Sequence, residues 1–241
     1  MINLEDFCRD FKECLREKGD FNQVLPRGRE LVTALAANKE WYQGVLARVI
    51  SDDNFLLKQG LSLESNEILI YRDPDRSFSI RAYLWERGHE YTAHDHGSWG
   101  IISGMVNSIR ETKYKRLDGG VSEGVACIEK TAERKLNPGE TTFVLPLNEG
   151  LHKLEAAEEL DAVSLHVYGR PVRTERFINY YYPEKNEVKR IYPPILAQRM
   201  LAIRTAATLS PDWARDLFKE ALEACRDKTL QERCVQALNN L

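Results

Sequence analysis

Two histidines separated by a single residue, His94-Asp95-His96, are the groups in this chain best placed to do chemistry. Alternate side chains of a β-strand share a face, so both imidazoles would project together, about 6–7 Å apart at their Cα atoms. Imidazoles so placed can converge on one transition-metal ion, with a further ligand brought from elsewhere in the fold. All five histidines lie between His89 and His166, and that concentration points to a metal site. Asp95 faces away from the pair, where it would serve hydrogen bonds behind the site. His89, just ahead of the ligand strand, reads as a surface histidine rather than a fourth ligand. Further along, Ser164, His166 and Tyr168 are spaced by two and therefore share one face of a strand.

The elements that must position these groups follow from periodicity. Residues 1 to about 60 read as helical. Leu4, Phe7, Phe11 and Leu15 form an apolar stripe at spacings of three and four, with Asn3 as N-cap and Gly19 as stop. A second helix is expected after Pro26, carrying Leu31, Ala34 and Leu35, and a third carrying Trp41, Val45, Leu46, Val49 and Ile50. From Glu67 the period becomes two. Strands are expected over Glu67 to Tyr71, Ser77 to Trp85, Gly100 to Ser103, Met105 to Lys115, Val125 to Arg134, Thr141 to Leu145, His152 to Ala156 and Ala162 to Tyr168. Asp73-Pro-Asp-Arg76, Asp118-Gly-Gly120, Asn137-Pro-Gly139 and Leu147-Asn-Glu-Gly150 carry turn chemistry between them. Many short strands at this spacing predict an antiparallel sandwich or barrel. Helices return over Ile195 to Thr208, after Ser210-Pro-Asp, and at the capping box Thr229-Leu-Gln-Glu232. The expected organisation is a helical segment over 1–60, a β-barrel with the metal site over 61–189 and a second helical segment over 190–241. The apolar faces of the last helices could pack on the barrel or hold a partner or a second copy.

Composition narrows the function classes. With 241 residues, 43% hydrophobic and 29% charged, the chain reads as an ordinary globular protein. A formal net charge of −3 gives no electrostatic reason to expect nucleic acid or an anionic membrane as partner. There is no run of about 18 apolar residues to span a bilayer. The start lacks the basic-then-apolar pattern of a secretory signal. Five scattered cysteines without a CxxC favour free thiols in a cytoplasmic location.

The pattern Gly88-x5-His94-x-His96, followed by Pro138-Gly-x6-Pro146-x3-Gly150-x-His152, resembles the two motifs of the cupin superfamily. Within it, Tyr71-Arg72, His94-Asp-His96, Gly150-Leu-His152-Lys-Leu-Glu155 and Ser164-Leu-His166-Val-Tyr168 resemble the cysteine dioxygenase (thiol dioxygenase) family, over roughly residues 67 to 170. The resemblance implies a mainly β fold, a double-stranded β-helix (cupin) barrel flanked by N-terminal and C-terminal helices. It implies Fe(II) on His94, His96 and His152, where imidazole chemistry alone would equally admit zinc, nickel or copper. Most cupins add a glutamate after the histidine pair; here Gly100 and Ile101 occupy that region, leaving three neutral ligands that favour an anionic thiolate.

By the same resemblance Tyr168 would reach the bound substrate and oxygen, with Ser164 and His166 holding it; a self-satisfied buried polar trio is the competing reading. Gly100 stands where some members carry a cysteine linked to this tyrosine, so no such link is expected. The selecting position falls on Arg72, which would meet a substrate carboxylate, or on Asp73, which cannot hold a carboxylate but could hold an amine; only one of the two can enter the pocket, and Arg176 is a further carboxylate-binding candidate that also reads as a surface charge. The implied activity is oxidation of a small cysteine-like or 3-mercaptopropionate-like thiol to its sulfinate by O2. The alternatives are a metal-dependent cupin oxygenase acting on a non-thiol molecule and a non-catalytic metal-binding sensor or interaction protein.

Overall fold

A computed structural model of the chain describes residues 2–59, 62–120, 123–173, 177–209, 211–224 and 226–241. They fall into two compact units: residues 1–172 with 178–190, and residues 173–177 with 191–241.

The first unit opens with α1 (Leu4–Lys18) and α2 (Phe21–Ala37). Asn3 caps α1 by accepting the Asp6 N–H at 2.9 Å, and Gly19 ends it with φ 68°, a left-handed value that suits glycine. α2 begins five residues before Pro26 rather than after it. Asp20 caps it, and Phe21 stacks on Trp99 with ring centroids 4.7 Å apart. That packing extends the helix past a residue that lacks an N–H for the Asn22 carbonyl. Two shorter helices follow, α3 (Glu40–Ser51) and α4 (Asp53–Gln59), within the span expected to be helical.

Eleven strands among the described residues build two antiparallel sheets. The first sheet has the order β1 (Glu67–Arg72), β2 (Phe78–Trp85), β9 (Ala162–Gly169), β4 (Gly100–Val106), β7 (Thr141–Val144). The second has the order β11 (Glu187–Ile191), β10 (Ile178–Tyr182), β3 (Ala93–His94), β8 (His152–Ala156), β5 (Ile109–Arg116), β6 (Ile128–Leu136). The expected run from Met105 to Lys115 is broken where Asn107 adopts φ 53°, which ends β4 and starts β5 in the other sheet. The tyrosine run at 180–182 supplies a strand, β10, and β11 follows; the periodicity argument had proposed neither.

The two faces of the first sheet do different work. Phe78, Ile80, Ala82, Ile101, Leu165 and Val167 face α1 and α2, packing on Phe7, Phe11, Val32 and Leu35. Gly28 lets α2 approach β4, since a Cβ there would fall 2.6 Å from Ile101 Cδ1. Tyr83, Trp85, Ile102 and Tyr168 face the other way and share a core with Ile109 and Leu154 of the second sheet. The sheets therefore enclose a barrel interior, and the helices cover one outer wall.

The Arg116–Asp118 pair holds the chain after β5. Arg116 Nε donates to Asp118 at 2.8 Å, and Asp118 also accepts the Cys127 N–H at 3.2 Å. The Arg116 hydrogen bond is the main reason the Asp118 carboxyl is lowered from 3.8 to about 2. A depressed carboxyl adds stability above its unfolded value and loses it as pH falls through the folded one. Asp118→Asn should therefore cost about 1–2 kcal/mol at pH 7 by denaturant unfolding. The gap to wild type should close between about pH 4 and pH 2.

The second unit is a small helical cluster: α5 (Pro194–Leu209), α6 (Pro211–Ala224) and α7 (Lys228–Asn239) share a core of Ala206, Ala214, Phe218 and Cys234. Asp227, not Thr229, caps α7, accepting the Leu230 N–H; Thr229 is already helical and buried. Ser210 lies outside the described residues. No helix among the described residues is long and apolar enough to cross a membrane.

Candidate metal centre

His94, His96 and His152 come together inside the barrel, all buried, with one ligand atom from each lying within 4.8 Å of the others. β3 is only two residues long, so His94 is on the strand and His96 follows it. Asp95 fixes that step by accepting the Asn179 N–H at 3.0 Å and its side-chain amide at 2.7 Å. The β3–β8 ladder places His94 directly opposite His152. Gly150 clears the approach to β8, since a Cβ there would lie 1.9 Å from the Leu145 carbonyl oxygen.

The hydrogen bonds behind the rings set which nitrogens are left to bind. A carbonyl only accepts, so the 3.0 Å contact to the Thr92 oxygen puts the His94 proton on Nδ1 and leaves Nε2 bare. His152 Nδ1 donates to Glu111 Oε1 at 3.1 Å, which bares its Nε2 likewise. His96 Nε2 then stands 2.9 Å from His152 Nε2, close enough for one cation to take both lone pairs at the ~2.0–2.1 Å typical of imidazole ligands. Burial, followed by the neighbouring histidines, pushes His96 well below its ordinary value. His152 falls to about 4, burial outweighing the Glu111 hydrogen bond. Both rings are neutral at pH 7, the form that ligates. The donor set fits a divalent transition metal.

Glu111 was missed in the sequence and alters the charge count. It is 0% exposed and also accepts Thr142 Oγ1 at 2.7 Å and Arg134 Nε at 2.9 Å. Burial alone would raise this carboxyl, but the His152 hydrogen bond and charge, with Lys113 and Thr142, bring it down to about 2. The ligand set is thus backed by one carboxylate, where three neutral imidazoles alone had been expected. The available signal was a charged residue at an inward position of β5, in step with buried Ile109.

Ser164, His166 and Tyr168 form one hydrogen-bonded line on β9: Ser164 Oγ to His166 Nε2 at 2.7 Å, His166 Nδ1 to Tyr168 Oη at 2.8 Å. Trp85 Nε1, which can only donate, gives its proton to Ser164 Oγ at 2.8 Å. In the Nδ1–H tautomer of His166 the serine proton goes to His166 Nε2 and the ring's own proton to the tyrosine oxygen. In that tautomer Tyr168 has its phenolic proton to donate; burial, then Glu64, raises its pKa. Its ring centroid lies 4.9 Å from that of His96. Gly100 makes this placement possible, because a Cβ there would be 2.7 Å from two Tyr168 ring carbons. Gly100→Ala should push the tyrosine off position and lower turnover by roughly 10-fold or more. Metal content should stay at wild-type level, which elemental analysis of the same preparation checks.

The expected substrate-selecting residues are scattered. Asp73 is not in the site: its side chain, 1% exposed, closes the β1–β2 turn by accepting from Asp75, Ser77 and Lys12. Arg72 stands opposite Ser79 at the end of β1 and is exposed. Arg176 lies outside the described residues. His89 is exposed, its ring against Tyr91. The inward face of β1 and β2 instead presents Glu67, Arg81 and Tyr83. Arg81 Nη1 donates to both Glu67 oxygens at 2.8 Å, and Tyr83 Oη donates to Glu67 at 2.9 Å.

No protein-family model matches the chain. Solved structures that resemble it include cupin proteins and a DMSP lyase. A cupin-like protein from Thermotoga maritima MSB8 has a TM-score of 0.32 and 15% identity, covering 43% of this chain and 67% of that one. A cupin 2 conserved barrel domain protein from Salinispora arenicola CNS-205 has a TM-score of 0.33 and 16% identity, covering 46% and 82%. The DMSP lyase DddQ from Ruegeria pomeroyi DSS-3 has a TM-score of 0.35 and 15% identity, covering 52% and 59%. The chain thus spans about three fifths of that lyase. The fold itself rests on the strand order: two facing antiparallel sheets enclosing a buried histidine triad make a cupin-type β-barrel, with helices before and after it in the chain.

Proposed function

We propose that this protein is a mononuclear non-heme iron thiol dioxygenase, converting a small thiol to its sulfinate with O2. The observation that carries the reading is the placement of Tyr168 against the triad, held by the Trp85–Ser164–His166 line. His94, His96 and His152 would hold the metal. When bound, a divalent iron would deprotonate the thiol and bring dioxygen to reaction beside it. The balance is one thiol and one O2 to one sulfinic acid: the S–H and O–O bonds break, two S–O bonds form, and the proton ends on the product.

The chain's own residues supply position and protons. Tyr168 offers a donor whose direction is fixed by His166, so an acceptor on the substrate side meets a preset hydrogen bond without reorganisation. The buried interior around Tyr83, Trp85, Ile102 and Leu154 excludes water from the tyrosine side.

The test is oxygen uptake by anaerobically Fe(II)-loaded protein given cysteine, 3-mercaptopropionate, cysteamine or no thiol. Uptake that requires a thiol, one O2 per thiol consumed, is expected. Iron-loaded protein that consumes no oxygen with any thiol, or consumes it equally in the blank, contradicts the reading.

A further inference from the structure

Beside the Ser164–His166–Tyr168 line, β2 lays a second row of polar side chains. Across the β2–β9 ladder Ser79 stands opposite Tyr168, Arg81 opposite His166 and Tyr83 opposite Ser164. Residues so paired share a face, so the two rows are neighbours inside the barrel. The Tyr83 ring lies 4.4 Å from the His166 ring, centre to centre. The Arg81 guanidinium carbon lies over the Tyr168 ring, 5.8 Å from its centre. An aromatic face carries partial negative charge. A cation held there is attracted to it and draws electron density from the phenol, which makes the O–H a stronger donor.

An arginine on its long stem does not keep such a place unaided, because holding one rotamer costs entropy. Glu67 supplies the hold. It stands opposite Tyr83 in the β1–β2 ladder. Both its oxygens accept from Arg81 Nη1 at 2.8 Å, and Oε2 also accepts the Tyr83 hydroxyl at 2.9 Å. Its side chain is 4% exposed, against 26% for Arg81. A carboxylate so buried and so bonded is committed to these two partners rather than to an entering molecule. Its effect on the reaction must therefore pass through Arg81 and Tyr83.

We propose that Glu67 is a positioning residue: it pins Arg81 over the Tyr168 ring and Tyr83 against His166, and so sets the donor strength and placement of Tyr168. The effect on turnover rests on the thiol dioxygenase reading above; the effect on the tyrosine rests on the geometry alone.

Two readouts keep these apart. The first is carbon-13 NMR of the Zn(II)-loaded chain with tyrosine labelled at Cζ, the Tyr168 and Tyr83 signals being assigned from Tyr168→Phe and Tyr83→Phe. Glu67→Gln should move the Tyr168 signal as well as that of Tyr83, and leave Tyr42 and Tyr114 at their wild-type positions. The second is oxygen uptake by Fe(II)-loaded protein with cysteine, 3-mercaptopropionate or cysteamine. Glu67→Gln should lower kcat by about tenfold with KM changed by less than about twofold. In a Tyr168→Phe background the same substitution should cost less than about twofold, because the tyrosine it acts through is gone. A Tyr168 signal unmoved in Glu67→Gln overturns the proposal. So does a loss of kcat as large in the Tyr168→Phe background as outside it. A raised KM at unchanged kcat places Glu67 on the substrate and overturns it as well. A moved Tyr168 signal in protein that consumes no oxygen with any thiol upholds the positioning and contradicts the dioxygenase reading. If Glu67→Gln does not fold, Arg81→Met puts the same question: its Tyr168 signal should move, and a wild-type position overturns the proposal.

Discussion

His152→Ala should lose both metal and turnover. The residue supplies one of three converging nitrogens and, among the described residues, is the one backed by a carboxylate. Two remaining imidazoles hold a divalent ion poorly, and Glu111 is left facing a cavity with one donor gone. Since removing even a supporting residue costs roughly 10–100-fold in metal affinity, the loss here should be at least ~100-fold. Metal content after dialysis should fall from about one ion per chain to under about a tenth of that. Far-ultraviolet circular dichroism should stay that of a folded barrel, because His152 pairs with its neighbours through its backbone. A His152→Ala protein with wild-type metal content and activity would take this residue out of the site.

Glu111→Gln carries the second large effect, and it separates support from ligation. Glutamine keeps the volume but has one acceptor oxygen where three donors converge: His152 Nδ1, Thr142 Oγ1 and Arg134 Nε. If its amide N–H turns to His152, the ring must accept there, and the proton moves to Nε2, the nitrogen needed for the metal. If its oxygen faces His152, the amide meets the donors of Thr142 and Arg134. Either way the metal affinity should fall by roughly 10–100-fold. Stability should also fall, by about 1.5–3 kcal/mol, with the loss of charge-assisted hydrogen bonds. Metal titration followed spectroscopically, and denaturant unfolding of the metal-free protein, measure the two losses separately. Wild-type metal affinity in Glu111→Gln would show that the carboxylate does nothing for the centre.

The histidine pair, the trio on β9 and most strand positions were legible because they depend on local period. His94 and His96, and Ser164, His166 and Tyr168, declare a shared face by spacing alone. The barrel followed from strand spacing and turn residues. What the spacing hid was which face of β2 looks inward. Phe78, Ile80 and Ala82 are the apolar set, yet they face α1 and α2, while Arg81, Tyr83 and Trp85 line the interior. A barrel that houses a polar site inverts the usual expectation that the apolar side is the inside. The same inversion concealed Glu111, a charge at an inward position that makes sense only once His152 lies beside it. Asp73 and Arg72 were both open as selectors, although the turn signal of Asp73-Pro-Asp-Arg76 already pointed to the place where Asp73 lies. The irregularity between Leu69 and Tyr71 shifts the β1–β2 register by one and sets Arg72 opposite Ser79. Such a bulge is a tertiary accommodation that propensity does not announce. The early start of α2, ahead of Pro26, is another, bound to the stacking of Phe21 on Trp99.

The most direct measurement is the fate of labelled dioxygen. Fe(II)-loaded protein would be given a small thiol under ¹⁸O₂, and the sulfur product weighed by mass spectrometry. The account expects a sulfinate carrying both heavy oxygen atoms. A disulfide, or a product whose oxygen comes from water, would contradict it.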